Sequence, residues 1–235
     1  MSKVVVIHQP DFIPYLGFFQ RLSQCDLFIV LDHVQFSKGG WHNRDMIKAP
    51  EGTKWLTIPV QLKGKHFPPI NEVLVASISD WKASHLDQLG RCYGKAPFFD
   101  ETFPDVEKIY ALESSRLLDY SMRSIRWLMD KFSVNVPLTF SSELSPTGSS
   151  NEMLVDLLQK VGATSYLSGT GARNYFSLEP FQRAGIEVLW QDFTHPVYPQ
   201  LHGEFVPYLS SIDILFNCGE KKSREILKSC GKQKD

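Results

Sequence analysis

Residues 4–22, VVVIHQPDFIPYLGFFQRL, decide how this chain is read. Val4–Ile7 is a short, β-branched apolar run without polar alternation, which suits a central parallel strand covered on both faces. The run ends not in a bland turn but in His8, Gln9 and Asp11. Pro14 then stands where a first helical turn tolerates proline, and Tyr15, Phe18, Phe19 and Leu22 keep helical spacing. A strand-to-helix junction carrying an imidazole, an amide and a carboxylate is, in open α/β sheets, a place for ligands.

The rest of the chain extends the pattern. Asp26–Asp32 (DLFIVLD) reads as a second buried strand, and Lys54–Leu62 (KWLTIPVQL) as a third, with Pro59 marking an edge or a bulge. Between them lies a polar connection, VQFSKGGWHNRDMIKAP. Asp80 is placed to cap a helix, and residues 105–133 keep helical spacing for roughly seven turns or more, as one long helix or two stacked ones. Residues 80–133 are thus expected as a helical insertion or lid. Strand returns in NVPLTFSSEL; Ser149 or Ser150 caps a further helix that Gly162 stops. SYLSGTGARNYF feeds a strand into a glycine-rich loop, and GIEVLWQDF is a last strand. The tail from Ser223 is polar, lysine-rich and expected to fray. The expectation is one α/β domain over 1–235: a mostly parallel, Rossmann-like sheet with helices on both faces.

Composition narrows the function classes. The chain has 235 residues, a formal net charge of -1 and 43% hydrophobic residues. No bulk positive field gathers nucleic acid or acidic membrane. The four cysteines are far apart, with no C-x-x-C pair, which argues against a zinc knuckle or a disulfide framework. No apolar run reaches membrane-spanning length and the N-terminus carries no leader pattern, so a cytoplasmic protein is expected.

Four segments carry candidate chemistry. In the first, helix N-terminal amides near Gly17 suit phosphate or carboxylate, and His8 can donate to a phosphate oxygen or exchange a proton. The opposing reading, a satisfied junction histidine and a packing glycine, stays open. In the second, Ser168, Gly169, Thr170 and Gly171 offer hydroxyls and unhindered amides, followed by Arg173, as an anion cradle; the alternative is a tight connection with Arg173 on a surface carboxylate. In the third, Asp32 and His33 end the second strand, and Gln35, Lys38, Trp41, His42, Asn43 and Arg44 follow in a stretch with the mixed polarity and aromatic surface of a binding loop, unless Trp41 is simply tucked onto the body. In the fourth, Asp192, His195, Tyr198, Gln200, His202 and Asp213 crowd a proline-broken segment. Asp192 with His195 could form an acid/base pair, but no recognised metal spacing is present and no metal site is expected. There is no G-x-S-x-G elbow and no Walker lysine loop.

Together IHQPDFIPYLGFF, SQCDLFIVLDHVQFSKGGWHNRDMIK, WLTIPV, YLSGTGARNYF and DFTHPVYPQLHGEFVPYLSSIDILFNCG resemble the WbqC-like protein family over nearly the whole chain. That resemblance implies an association with bacterial O-antigen and surface-polysaccharide gene sets. A more distant likeness is to nucleotidylyltransferases and pantothenate-synthetase-like enzymes. YLGF at residues 15–18 is similar to their H-x-G-H turn, and LSGTGAR to their S-S-T-x-x-R loop. By position, Gly17 matches the motif glycine and Ser168, Thr170 and Arg173 match the loop that closes over ATP or CTP phosphates. Tyr15 and Phe18 replace the two histidines that stabilise charge on the α-phosphate, a departure that weighs against nucleotidyl transfer in that form.

The expectation from this likeness is a transferase using ATP or a nucleotide sugar, with Mg²⁺ accompanying a triphosphate. His8, His195 and Asp192 are its candidate catalytic groups. Gln9, Gly17, Ser168, Gly169, Thr170, Gly171 and Arg173 are placed on the nucleotide. Tyr15, Asp32, Gln35, Lys38, Trp41, Asn43, Arg44, Tyr198 and Gln200 are placed on the substrate. Acyl or aminoacyl transfer onto an amino sugar and a non-catalytic nucleotide-binding scaffold are the alternatives. The partner is a small nucleotide-linked molecule, not nucleic acid or membrane.

Overall fold

The computed structural model describes residues 2–62, 68–77 and 80–230. Its elements, in chain order, begin with β1 (Val4–His8), α1 (Leu16–Leu22) and β2 (Leu27–Val30). A long excursion follows, with β3 (Arg44–Ala49), β4 (Gly52–Thr57), β5 (Val60–Gln61), β6 (Leu74–Val75), α2 (Trp81–Tyr93), α3 (Phe99–Tyr110) and α4 (Leu117–Lys131). The chain then returns through β7 (Leu138–Phe140), α5 (Ser150–Lys160), β8 (Ser165–Ser168), α6 (Glu179–Arg183), β9 (Glu187–Trp190) and α7 (Ile212–Ser229).

β1 is the middle of a five-stranded sheet of order β7-β2-β1-β8-β9. Every pairing is parallel, with Val5–His8 opposite Leu27–Val30 and Val4–Val5 opposite Ser165–Tyr166. Parallel strands need crossovers that lay helices on both faces, which explains the uninterrupted apolar run. On one face Val6, Phe28 and Val30 join Phe18 and Phe19 of α1 and Ile214 and Leu215 of α7. On the other, Val5, Ile7 and Ile29 pack on Leu157 and Leu158 of α5 and Phe181 of α6. The chain builds outward from β1 to β7, then crosses back to β8 on the opposite side of β1. The neighbours β1 and β8 therefore flank the point where strand order reverses, and their carboxyl ends diverge into a crevice there.

Residues 31–137 all lie between β2 and β7. Asp80 does cap α2, accepting from the Ala83 amide at 3.1 Å. The stretch 105–133 divides into α3 and α4, both helices sharing one core with the sheet.

Three expectations are corrected. Lys54–Leu62 is not a strand of the main sheet: β4 pairs antiparallel with β3 and ends before Pro59, which has no N–H for a ladder. Arg44–Ala49, read as connection, is β3; its buried Asp45 and Lys48 hide the apolar alternation. The tail does not fray from Ser223. α7 runs to Ser229, with Ser223 Oγ donating to the Gly219 carbonyl at 2.6 Å and Leu227 buried; the last five residues lie outside those described. Among the described residues no helix is long and apolar enough to cross a membrane, and all four cysteines are unpaired.

Candidate functional site

A cleft of about 590 Å³ opens where the ends of β1 and β8 part. His8, Gln9, Asp11 and Tyr15 line one side, Ser168, Gly169, Thr170 and Gly171 the other, and Trp41, His42, Asp45 and Tyr208 close it.

The β1 side is held by strain and by hydrogen bonds. Ile13, a β-branched residue, sits at φ 45°, in the left-handed region such residues rarely adopt. Its amide accepts no freedom to relax: Ser124 Oγ of α4 takes the N–H at 3.0 Å, and Ser210 Oγ donates to its carbonyl at 2.6 Å. This turn fixes the Asp11 carboxylate beside two imidazoles. His42 Nδ1 lies 3.4 Å from Oδ1, and His8 Nδ1 lies 3.8 Å from Oδ2. The loop bearing His42 is pinned by Phe12 N–H to the Trp41 carbonyl (3.0 Å) and by Ser121 Oγ to the His42 carbonyl (3.0 Å).

Each group has a defined proton state or an open bond. His8 Nδ1 donates to the Gln9 carbonyl at 2.7 Å, so Nε2 keeps the lone pair. Burial pushes its pKa down to about 4, and the Arg21 charge acts in the same direction. At neutral pH His8 is an uncharged base. Burial holds the Asp45 carboxyl well above the usual carboxylate range, with Asp11 adding to the effect and the Met46 amide opposing it. The buried Nδ1 of His42 has no hydrogen-bond partner. Two carboxyls and two imidazoles on one wall are a proton-exchange set. Among the described residues no group of three or more His, Cys, Asp or Glu is arranged to hold a metal ion.

The cation of the cleft is Arg21, from the last turn of α1. It is 5% exposed, it lines the cleft, and its Nε has no hydrogen-bond partner. Gly169 makes room for it, since a Cβ there would collide with Arg21 Nη1. Gln191, at the end of β9, is locked by donating to the Gly17 carbonyl at 2.7 Å and to Gln20 Oε1 at 2.6 Å.

The structure thus brings together His8, Gln9, Asp11, Tyr15, Trp41, His42, Ser168, Gly169, Thr170 and Gly171 from the sequence-marked set. The others lie off the cleft wall. Gly17 is buried under the Tyr15 ring, with which any side chain there would collide. Arg173 is exposed and stacks on Trp190, 5.1 Å from the ring centroid. Asp32 staples the ends of β2 and β7, accepting from Ser141 Oγ (2.9 Å), Ser142 N–H (2.9 Å) and Ser142 Oγ (2.7 Å). Asn43 donates to the Ile58 carbonyl at 2.8 Å, and Arg44 lies over Trp55 at 4.1 Å. Gln35 and Lys38 are exposed along the loop.

The fourth segment is built around Asp213. Tyr198 and Gln200 donate to its Oδ2 at 2.9 and 2.8 Å, and Tyr93 donates to Oδ1 at 2.8 Å. The acid/base pair expected of Asp192 and His195 does not form. Asp192 is exposed, while His195 donates from Nδ1 to the Pro196 carbonyl at 2.9 Å and buries an unpartnered Nε2 among aromatic rings. Burial also lowers the His195 pKa. Tyr208 from this segment does reach the cleft, packed on Tyr15 at 6.1 Å.

Sequence reading passed over Arg21 and Asp45 as site residues. Arg21 sits in an apolar helical run, where arginine ordinarily marks the solvated face; the unusual feature was a charge directly before the buried Leu22. Asp45 offered no signal short of knowing that β3 is a strand.

Comparison with known proteins places the chain. It is 34% identical over 221 residues to "Uncharacterized protein Rv1507c" of Mycobacterium tuberculosis (strain ATCC 25618 / H37Rv), covering 93% of this chain and 95% of that protein. No solved structure matches. The profile of the WbqC-like protein family matches residues 9–225, a span that begins one residue after His8 and contains the cleft lining from Gln9 to Tyr208, and the chain belongs to that family.

Proposed function

We propose that the chain is a transferase that takes a nucleotide-activated donor, a nucleotide sugar or ATP, in bacterial surface-polysaccharide assembly. One observation carries the reading: the His8 end of β1 and the Ser168–Gly171 turn after β8, distant in sequence, share one cleft at the strand-order reversal. In sheets of this order that crevice receives nucleotides, and small residues let phosphates approach the backbone. In this reading the phosphates lie towards Gly169–Gly171. Trp41, 43% exposed and 5.4 Å from Trp55, offers a ring face for a base or sugar at the mouth. His8 Nε2 removes the proton from the acceptor's hydroxyl or amine as that atom attacks the donor, while the donor's bond to its leaving phosphate breaks and the phosphate departs against Gly169–Gly171. Asp11 stands beside both imidazoles, 3.8 Å from His8 Nδ1 and 3.4 Å from His42 Nδ1. Positioning the two reactants supplies most of the remaining rate enhancement.

The proton-exchange wall also favours a second reading, acyl or aminoacyl transfer to an amino sugar with His8 as base. A binding-only scaffold is disfavoured by a strained Ile13 and a buried, unpaired Arg21, which stability alone gives no reason to keep. A thermal-shift panel of ATP, CTP, UDP and several nucleotide sugars separates these readings. A ligand at a hundredfold excess over its dissociation constant stabilises by about 2.7 kcal/mol. Stabilisation by nucleotides or nucleotide sugars is expected, and a flat panel rejects the donor reading.

A further inference from the structure

Arg21 is a buried cation whose Nε has no hydrogen-bond partner. Its guanidinium is inside the protein at the cleft wall, yet among the described residues it forms no ion pair, Asp11 being turned to His8 and His42. Removing a cation from water without a counter-charge is costly, and a buried arginine ordinarily has a carboxylate or carbonyl on its fork. Here the neighbour is Gly169, at a position where a side chain would collide with Nη1 of the guanidinium. Arg173, by contrast, is exposed and engaged with the Trp190 face.

We propose that Arg21 is the residue that receives the ligand's phosphate group, seated against the Gly169–Gly171 turn, and that Gly169 is present to leave the guanidinium its place. A planar fork matches two oxygens of a phosphate, and desolvation strengthens both bonds. The ligand's phosphate would give the buried guanidinium its counter-charge. This inference deepens the donor-binding reading and rests on it for the identity of the site.

The test uses the full chain and titration calorimetry with sodium pyrophosphate and with UDP at low salt, alongside melting temperatures without ligand. Arg21→Met is expected to weaken pyrophosphate binding by about tenfold or more, the scale of a charge-assisted bond, while the melting temperature stays level or rises. A merely structural arginine would lower it instead. Arg21→Lys keeps the charge and loses the fork, so partial weakening is expected. Gly169→Ala removes no charge and no donor, and is expected to weaken binding by displacing the guanidinium. Arg173→Ala is expected to bind as wild type.

Each alternative outcome is decisive. Wild type that ignores pyrophosphate, or Arg21→Met that binds it unchanged, overturns the assignment, as does loss in Arg173→Ala with retention in Arg21→Met. Arg21-dependent binding of malonate without pyrophosphate overturns the phosphate class. Should Arg21→Met fail to fold, the Lys and Gly169→Ala variants decide. Arg21-dependent pyrophosphate binding with no response to any nucleotide upholds Arg21 and rejects the nucleotide donor, so the two readings fail separately.

Discussion

His8 occupies the last position of β1, and its Nδ1–H is spent on the Gln9 carbonyl, so the nitrogen it offers the cleft is a lone pair. Because burial depresses its folded pKa to about 4 from 6.5, the unfolded chain binds the extra proton first as pH falls. The stability contribution is therefore complete above pH 6.5 and is lost as pH falls toward 4. His8→Asn should remove that loss: its stability at pH 4.5, relative to pH 7, should fall by about 1–2 kcal/mol less than wild type. The figure is below the full value of the shift because 31% of the side chain meets solvent. Urea unfolding at the two pH values measures this, and parallel losses in both proteins would show that His8 titrates in the fold as it does in a peptide. The histidine, the glutamine and the small-residue loop were legible in the sequence because they interrupt regular strand patterns. Arg21 was not, since the partner that makes room for it, Gly169 just past the end of β8, is distant in sequence and no local pattern encodes that.

At the scale of elements, α7 shows how a single backbone position sets packing. It bends at Gly219, where φ 70° and ψ 170° fall in a region open essentially to glycine, and a Cβ there would lie 2.6 Å from the Phe98 ring. The bend lets Phe216 stack on Phe99 and Tyr93 while the second half of the helix turns Arg224 onto the Lys131 carbonyl at 2.7 Å. Gly219→Ala should cost about 2–4 kcal/mol, combining backbone strain with the clash. In a Phe98→Ala background the steric share should vanish and the backbone share persist. Equal costs in both backgrounds, measured by chemical denaturation, would assign the whole effect to the backbone. The sequence placed a polar tail here because lysines dominate the composition; of the residues buried after Gly219, Ser223 is polar and Leu227 alone is apolar, too little to announce a buried helix. The same masking by polar residues hid β3, where Asp45 and Lys48 are buried by the loops at 198–210 and the cleft rather than by an alternating core.

For the whole molecule, the decisive fact is the order of strands. The apolar runs at 4–7 and 26–32 and the loop after 168 announce a parallel α/β sheet, but only pairing of β1 with both β2 and β8 makes their ends the two lips of one cleft. Such pairing is non-local, and many strand orders are compatible with the same runs. The residues 31–137 inserted between β2 and β7 supply the third wall, through the loop that Ser121 and Phe12 hold in place. In the proposed function both lips engage one anionic ligand. Hydrogen–deuterium exchange with and without the best-stabilising nucleotide tests it most directly. Simultaneous protection of residues 8–15 and 168–172, abolished together by Arg21→Met, is the expected result. Protection of one lip alone, or of neither, would contradict it.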